Sequence, residues 1–376
     1  MNKIETAEIR KQFDPDRCTI ERICTCYVGS EKEKRFMSRD SFLSLPEEEM
    51  HKYLAFFKKA LTGTIGKNLM NLQIPLSEEM PGGKQEFLVK LRDSELADDE
   101  MLEAFYDKII EHYDQADKYC IFLVYAVYDV PGKGLDGLTM DDASDSVYRY
   151  MLCCLCPVEL SKGALGYDTE ENRIGELTRQ WVVGDPDKAF LFPSFAERMS
   201  NIHELLYYSK KAGEIQPDLI EFLFGAEPPL TADEQKDTFN LLVSDMMGED
   251  GDMEIMKNVH DSLTGLIEEN KANPEPLSMG SAEVKQLLKD SGINGEGMER
   301  FEDRFEELAG DKAEIMVANL PGIKTFNIST PDIEIHVKPD YVDRIEARVI
   351  DGRDCLVITV DDHVEVNGVN VKTLVK

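Results

Sequence analysis

The sequence predicts an α+β chain (mixed α/β): an N-terminal α/β domain, an acidic helical middle segment and a small C-terminal antiparallel β module. Three observations carry this. Residues 119–128 and 147–158 are continuous apolar runs, as in strands buried on both faces. Residues 231–320 repeat apolar side chains at helical spacing among 22 acidic and 8 basic residues, a net of −14. From residue 321 onward, short β-branched runs are broken by Asp351-Gly352 and Asn367-Gly368, the pairs that two-residue hairpin turns favour. The implied divisions are 1–230, 231–320 and 321–376. Two or three domains also follow from 376 residues at roughly 100–200 residues per domain.

The elements follow in order. Residues 19–28 (TIERICTCYV) begin as a polar/apolar alternation and read as a strand. Ser44 and Glu47 form a capping-box pattern ahead of a helix bearing Met50, Leu54, Phe57 and Leu61. Residues 86–91 read as a short strand. Asp98 and Asp99 open a second helix, with Leu102, Phe105 and Ile109 on one face. The strand over 119–128 is expected to stop at Asp129-Val130-Pro131-Gly132, and the strand over 147–158 is interrupted by Pro157. Residues 164–183 read as a hairpin turning at 168–172 and carrying Trp181, the only tryptophan. Short helices are expected over 202–209 and 217–224. In the middle segment, Thr231 and Glu234 repeat the capping-box spacing. Ile255, Val259, Leu263 and Leu266 form one apolar stripe, and Met298, Phe301, Phe305 and Leu308 another, with Asn273-Pro274-Glu275-Pro276 as a linker between them. Six strands are expected over 325–374.

Charge limits the partners. Asp plus Glu total 74 against 42 Lys plus Arg, a net of −32. Nucleic-acid affinity depends on neutralising phosphates, so such a surface disfavours nucleic acid, and it equally disfavours anionic lipid. Protein partners and homo-oligomer formation remain open to it. Residues 1–60 are the exception, with 12 basic and 11 acidic side chains. No apolar run approaches the ~20 residues that span a bilayer, and the first residues lack a signal-peptide pattern. The expected location is therefore the cytoplasm, with the eight cysteines reduced and mostly packed as small apolar side chains.

Several long irregular strings stand in one order: QEFLVKLRDS, YDVPGK, DASDSVYRYMLCCLCPV, FLFPSF, HELLYYSK, IDGRDCLVI and VEVNGVNV. They resemble those of the bacterial domain-of-unknown-function family numbered 4317, found mainly in anaerobic Gram-positive bacteria. The resemblance runs nearly end to end and implies a cytosolic full-length member. It brings no activity, catalytic residue or cofactor with it, and none is expected. The layout of an α/β domain, an acidic helical middle and a small β tail also resembles that of the nucleoid-associated proteins of Gram-negative bacteria.

Four sets of residues could carry chemistry. Gly63, Gly66 and Lys67, within LTGTIGKNL, resemble the helix–GxxG–helix loop with which KH domains approach a nucleic-acid strand. Thr64 and Ile65 stand where basic residues would favour that role, and an αα-turn needing positive φ explains the glycines equally. Cys24, Cys26, Cys154 and Cys156 would supply four thiolates to zinc if their strands were neighbours, although neither pair has the usual Cys-x₂₋₄-Cys spacing. Buried core thiols account for the pattern more simply. His203 could act as a general base with Arg198, Glu204 or Tyr207 beside it, in a dispersed acid–base site near residues 129–133. Tyr207 stands where a zincin helix needs its second histidine, so no metal is implied there. Asp136, Asp141, Asp142 and Asp145 could hold a divalent cation, but a solvated loop explains them as well. Residues 250–261 depart from a calcium loop at Ile255 and Asp261. Nucleotide-binding and hydrolase fingerprints are absent. The sequence thus favours a non-catalytic interaction or regulatory protein, with a nucleic-acid-associated protein or an enzyme with a dispersed site as alternatives.

Overall fold

A computed structural model describes residues 1–115, 117–133, 139–163, 165–168, 172–176, 179–248, 251–294, 296–310, 313–320, 325–361 and 363–371. The chain divides into two compact units. One comprises Met1–Thr231 with Pro274–Pro276, the other Ala232–Asn273 with Leu277–Lys376.

The first unit runs α1 (Lys3–Arg10), β1 (Ile20–Val28), β2 (Lys34–Ser41), α2 (Glu47–Ala60), β3 (Leu69–Gln73), α3 (Lys84–Asp93) and α4 (Asp99–His112). It continues with β4 (Tyr119–Lys133), β5 (Thr139–Leu160), β6 (Leu165–Asp168), β7 (Arg173–Glu176), β8 (Trp181–Val183), β9 (Lys188–Phe192), β10 (Ser194–Ala196), β11 (Met199–Asn201), β12 (Glu204–Ser209) and α5 (Pro217–Phe224). One antiparallel sheet organises it, in the order β2-β1-β4-β5-β9-β12-β3, with β8 paired to the far end of β5.

The two apolar runs form the centre of this sheet, and alternation sends their side chains to two different cores. Ile121, Leu123, Tyr125, Met151, Cys153 and Leu155 face a core shared with Leu91 of α3, Phe105 and Ile109 of α4, and Leu219 and Leu223 of α5. Phe122, Val124, Tyr150, Leu152, Cys154 and Cys156 face the opposite core, with Ile9 of α1 and Leu54 and Phe57 of α2. An apolar residue at every position is what a strand covered on both faces needs. Each large side chain so buried contributes roughly 1.5–3 kcal/mol.

Several expectations are corrected. Residues 86–91 lie inside helix α3, because Gln85, Leu88 and Leu91 recur at three-residue spacing and are buried together. Residues 202–209 are not a helix. Glu204–Ser209 is an interior strand between β9 and β3, with Leu205 and Tyr207 in one core and Leu206 and Tyr208 in the other. Ser44 does not cap α2. Its Oγ donates to the Ser41 carbonyl, and Pro46 takes the N-cap position without a side-chain bond. The acids Glu47, Glu48 and Glu49 instead lie against the positive end of the helix dipole. Strand β4 continues past Asp129 to Lys133, with register shifts on either side of Pro131 that absorb its missing N–H. Pro157 does not interrupt β5. The Val158 N–H bonds to the Lys118 carbonyl, so Pro157 falls opposite Tyr119 at a position that makes no ladder bond to β4. The expected hairpin is formed by β6 and β7, and Trp181 lies beyond it on β8. Helix α1 and edge strand β2 have no counterpart in the sequence reading. The sequence KRFMSRDS of β2 is mostly exposed and lacks an apolar alternation.

The second unit contains α6 (Ala232–Met247), α7 (Met253–Glu269), β13 (Ser278–Met279), α8 (Ser281–Asp290), α9 (Phe301–Ala309) and β14 (Ile315–Met316). The predicted stripes pack here, Val259 and Leu263 against Phe301, Phe305 and Leu242. The segment is not wholly helical, since β13 and β14 pair. Three hairpins follow: β15 (Phe326–Ser329) with β16 (Glu334–Val337), β17 (Ile345–Ile350) with β18 (Arg353–Ile358), and β19 (Val364–Val366) with β20 (Val369–Val371). They are separate two-stranded ladders, not one meander. Asp351 and Gly352 (φ 53° and 74°) and Asn367 and Gly368 (52° and 80°) adopt the left-handed pairs of type I′ turns.

Phe57 touches Phe13, Phe42 and Tyr53 beneath the sheet. Phe57→Ala is expected to destabilise the first unit by about 3–5 kcal/mol in chemical denaturation, through lost burial and the cavity left behind.

Candidate functional site

Strand β12 opens on a carboxylate where the sheet interior would otherwise be apolar. Glu204 is buried, and its Oε2 accepts from Ser194 Oγ (2.9 Å) and Asn201 Nδ2 (3.3 Å). Its Oε1 accepts from Gln73 Nε2 (3.3 Å). The Met1 amino group lies 3.8 Å from Oε2 and donates to Asn71 Oδ1 (2.9 Å), while Asn71 Nδ2 donates to the Met1 carbonyl. A carboxyl group in so dry a place is tolerable only when its oxygens meet donors, and this cluster supplies three hydrogen bonds. On β9, Lys188 is also buried, with Nζ 2.7 Å from Asp187 Oδ2, which further accepts from Tyr113 Oη at 3.2 Å. Burial pushes the Tyr113 phenol well above its ordinary value, and neighbouring Asp187 adds to the shift. Sequence reasoning named Glu204 only as a neighbour of His203 and missed both clusters. The available signal was a single charged residue at the start of each apolar run, ELLYYS and KAFLF.

The structure separates the predicted acid–base residues. Arg198 sits at the tip of the β10–β11 hairpin, where Glu197 and Arg198 both have positive φ (51° and 60°). Its Nη2 donates to the Pro131 carbonyl (2.9 Å) and to Glu8 Oε1 (3.2 Å), which also accepts from Tyr128 Oη. The Glu197 N–H donates to Glu5 Oε1 (2.6 Å). Arg198 thus ties α1, β4 and the hairpin together. His203 lies half-exposed before β12 and pairs with Glu79. Tyr207 is buried, and its hydroxyl donates to the Ile215 carbonyl at 2.8 Å. The three side chains have three separate partners and do not converge.

Gly63, Gly66 and Lys67 connect helix α2 to strand β3, so the helix–GxxG–helix layout does not occur. Gly66 has φ +80° and is buried, and its N–H donates to the Leu69 carbonyl. Asn68 Nδ2 clamps this loop to the carbonyls of Ser209 and Lys210. Here the glycine serves a tight helix-to-strand turn.

The four thiols of the zinc expectation do not come together. Strands β1 and β5 are separated by β4. Cys24 and Cys26 face one core, and Cys154 and Cys156 face the other. All eight cysteines are free, and six of them are buried. Burial pushes the Cys24 and Cys120 thiols up to about 12 and Cys26 to about 11. No cluster of His, Cys, Asp and Glu suited to a metal occurs among the described residues. Of the expected aspartate cluster, Asp136 lies outside the described residues, as do the side chains of Asp141, Asp142 and Asp145. Asp250 of the calcium-loop string is also outside them, and Asp252 caps α7 through the Glu254 N–H.

In the last two hairpins, as in β6–β7 (Leu165 and Ile174), apolar side chains face solvent. The register of β17 and β18 puts Ile345, Ala347, Val349, Leu356 and Ile358 on one face. Of these only Ile345 is buried, while Val349 is 71% and Ile358 50% exposed. The β19–β20 register puts Val364, Val366, Val369 and Val371 on one face, with Val369 64% exposed. No described helix is long and apolar enough to cross a membrane.

A model of a domain-of-unknown-function family, DUF4317, matches residues 1–369. The chain belongs to this family. The match spans the sheet, the helical segment, the first two hairpins and the start of the third, so the architecture described above is that of a DUF4317 protein. No curated protein matches the chain.

The thiols give this DUF4317 protein a testable pH signature. Burial holds Cys24, Cys26 and Cys120 protonated in the folded chain, so the unfolded chain releases these protons first. The resulting stabilisation is complete below the ordinary thiol value of 9.0 and is lost as pH rises through about 11–12. Thermal melts are expected to hold level from pH 7 to about 9 and then fall, with the fall reduced in Cys24→Ala. A thiol reagent at pH 8 is expected to modify Cys18 and Cys355 before the six buried thiols.

Proposed function

We propose that this DUF4317 protein is a non-catalytic interaction protein that binds protein partners through hairpins β17–β18 and β19–β20. The observation that carries the reading is the exposed apolar face on each hairpin. Isolated two-stranded hairpins are marginally stable in water, and apolar faces of this kind gain most from being covered. A protein partner suits them, because open strand edges recruit extended backbone and alternate side-chain pockets supply specificity. Phosphate-bearing partners are disfavoured by the net charge of −32. The positions of Arg198, His203 and Tyr207 fit structural roles in the first unit, and the Gly63–Gly66 loop fits a turn, so neither alternative reading gains from them.

The test replaces Val349 and Leu356 by Asp in the full chain and compares cross-linking mass spectra with the native protein. Cross-links between residues 325–371 and a partner chain are expected to fall at least tenfold, while the melting of the first unit stays unchanged. Identical cross-link sets would remove the hairpins from the reading.

A further inference from the structure

The partner for one of these edges can be specified from its hydrogen-bonding groups and its charges. The Thr359 N–H bonds to the Arg344 carbonyl (2.8 Å), so residues 344, 346, 348 and 350 direct their backbone groups toward β18. Ile345, Ala347 and Val349 therefore turn theirs to the other edge, where no strand pairs with β17 among the described residues. The Ile345 N–H is already taken by the Val342 carbonyl. That leaves the Ile345 carbonyl and both groups of Ala347 and of Val349 facing outward. This is a short edge with alternating donors and acceptors.

Charge narrows the occupant. The hairpin from 344 to 358 carries Arg344, Arg348 and Arg353 against Glu346, Asp351 and Asp354, a net of zero in a chain of −32. Two copies of so acidic a protein repel each other over most of their surface, and this hairpin is a place where they can approach without that penalty. A strand that meets itself about a two-fold axis through the sheet must centre on one residue. Centring on Glu346 or Arg348 sets like charges opposite each other, which destabilises a strand pair. Centring on Ala347 sets each Glu346 opposite Arg348 of the other copy. In that register Ala347 bonds to Ala347 of the second copy in both directions, and each Val349 N–H meets the Ile345 carbonyl of the other chain. Centring on Ile345 would also set opposite charges together, Arg344 and Glu346, but its N–H is occupied, so the charge pattern and the outward-facing backbone groups together select the Ala347 register. Glu346 and Arg348 already pair within one chain, so the dimer would join two such pairs into a four-charge cluster.

Resting on the interaction reading above, we propose that β17 is a self-recognition edge, pairing antiparallel with β17 of a second copy about a two-fold axis through Ala347. The product is a four-stranded sheet, β18-β17-β17-β18, whose apolar faces become continuous. A strand pair of this length falls below the ~1,200 Å² at which standard stable interfaces begin, so the dimer dissociates on dilution.

Sedimentation velocity on the full chain over a concentration series tests this. The native protein is expected to shift from monomer to dimer as concentration rises. Glu346→Arg alone and Arg348→Glu alone each place like charges across the axis and are expected to weaken association at least tenfold. An equimolar mixture of these two variants restores opposite charges at both positions and is expected to dimerise again. The double exchange in one chain is expected to behave as the native protein, which guards against a variant that merely fails to fold. A native chain that stays monomeric, single variants that associate as the native chain does, or a mixture that stays monomeric would each overturn the proposal. A monomeric native chain whose hairpin-dependent cross-links to another protein persist would remove self-pairing alone, whereas loss of those cross-links too would remove the wider reading.

Discussion

The burial of β4 and β5 on both faces is the constraint on which the rest of the first unit depends. Two adjacent strands with an apolar residue at nearly every position cannot leave either face to water, so the unit needs helices above and below the sheet. Helices α3, α4 and α5 close one side, and α1 and α2 close the other. The polar clusters follow from the same constraint. Once the sheet interior is dry, Glu204 and Lys188 must each be answered by neighbouring donors or acceptors. Glu204 is answered by nearby Ser194 and Asn201 and by distant Gln73, and Arg198 by distant Glu8 and the Pro131 carbonyl.

The same dryness explains the thiols. Alternation along β1 and β5 sends Cys24, Cys26 and Cys153 to one core and Cys154 and Cys156 to the other. A thiol is a small apolar group that tolerates such burial when protonated, and desolvation holds it so. Cysteines that sit close together in sequence are thereby divided between two layers by strand geometry.

The second unit follows a different logic. Its helices bury their apolar stripes around Leu242, Leu263, Phe301 and Phe305, and the first hairpin joins Val342 and Ile345 in a small cluster that reaches Met253 and Met256 of α7. Beyond Ile345 this anchoring ends. The remaining strands keep their register through type I′ turns and ladder bonds, while their apolar faces stay in solvent. Surface of that kind, placed where the core no longer reaches, is the feature from which the functional reading was built.

By itself the sequence determined what depends on local patterning. Continuous apolar runs located the central strands, period-3.6 spacing α4 and α7, and short β-branched or alternating runs the hairpin strands, while Asp-Gly and Asn-Gly located the type I′ turns, because left-handed φ is cheap for those residues. Patterning misled where one apolar string fits either period. The run from Glu204 to Ser209 looks helical in isolation and is a strand because β9 and β3 lie on either side, and residues 86–91 show the converse. Edge strand β2 was invisible because an exposed strand needs no apolar alternation. Only the tertiary structure decided the strand order, and with it which candidate residues meet. His203, Arg198 and Tyr207 are close in sequence and have separate partners in space, whereas Met1, Gln73 and Glu204 are distant in sequence and share one network. Hydrogen bonds between remote segments leave no periodic trace in a sequence, since they are set by which chain ends the sheet brings side by side.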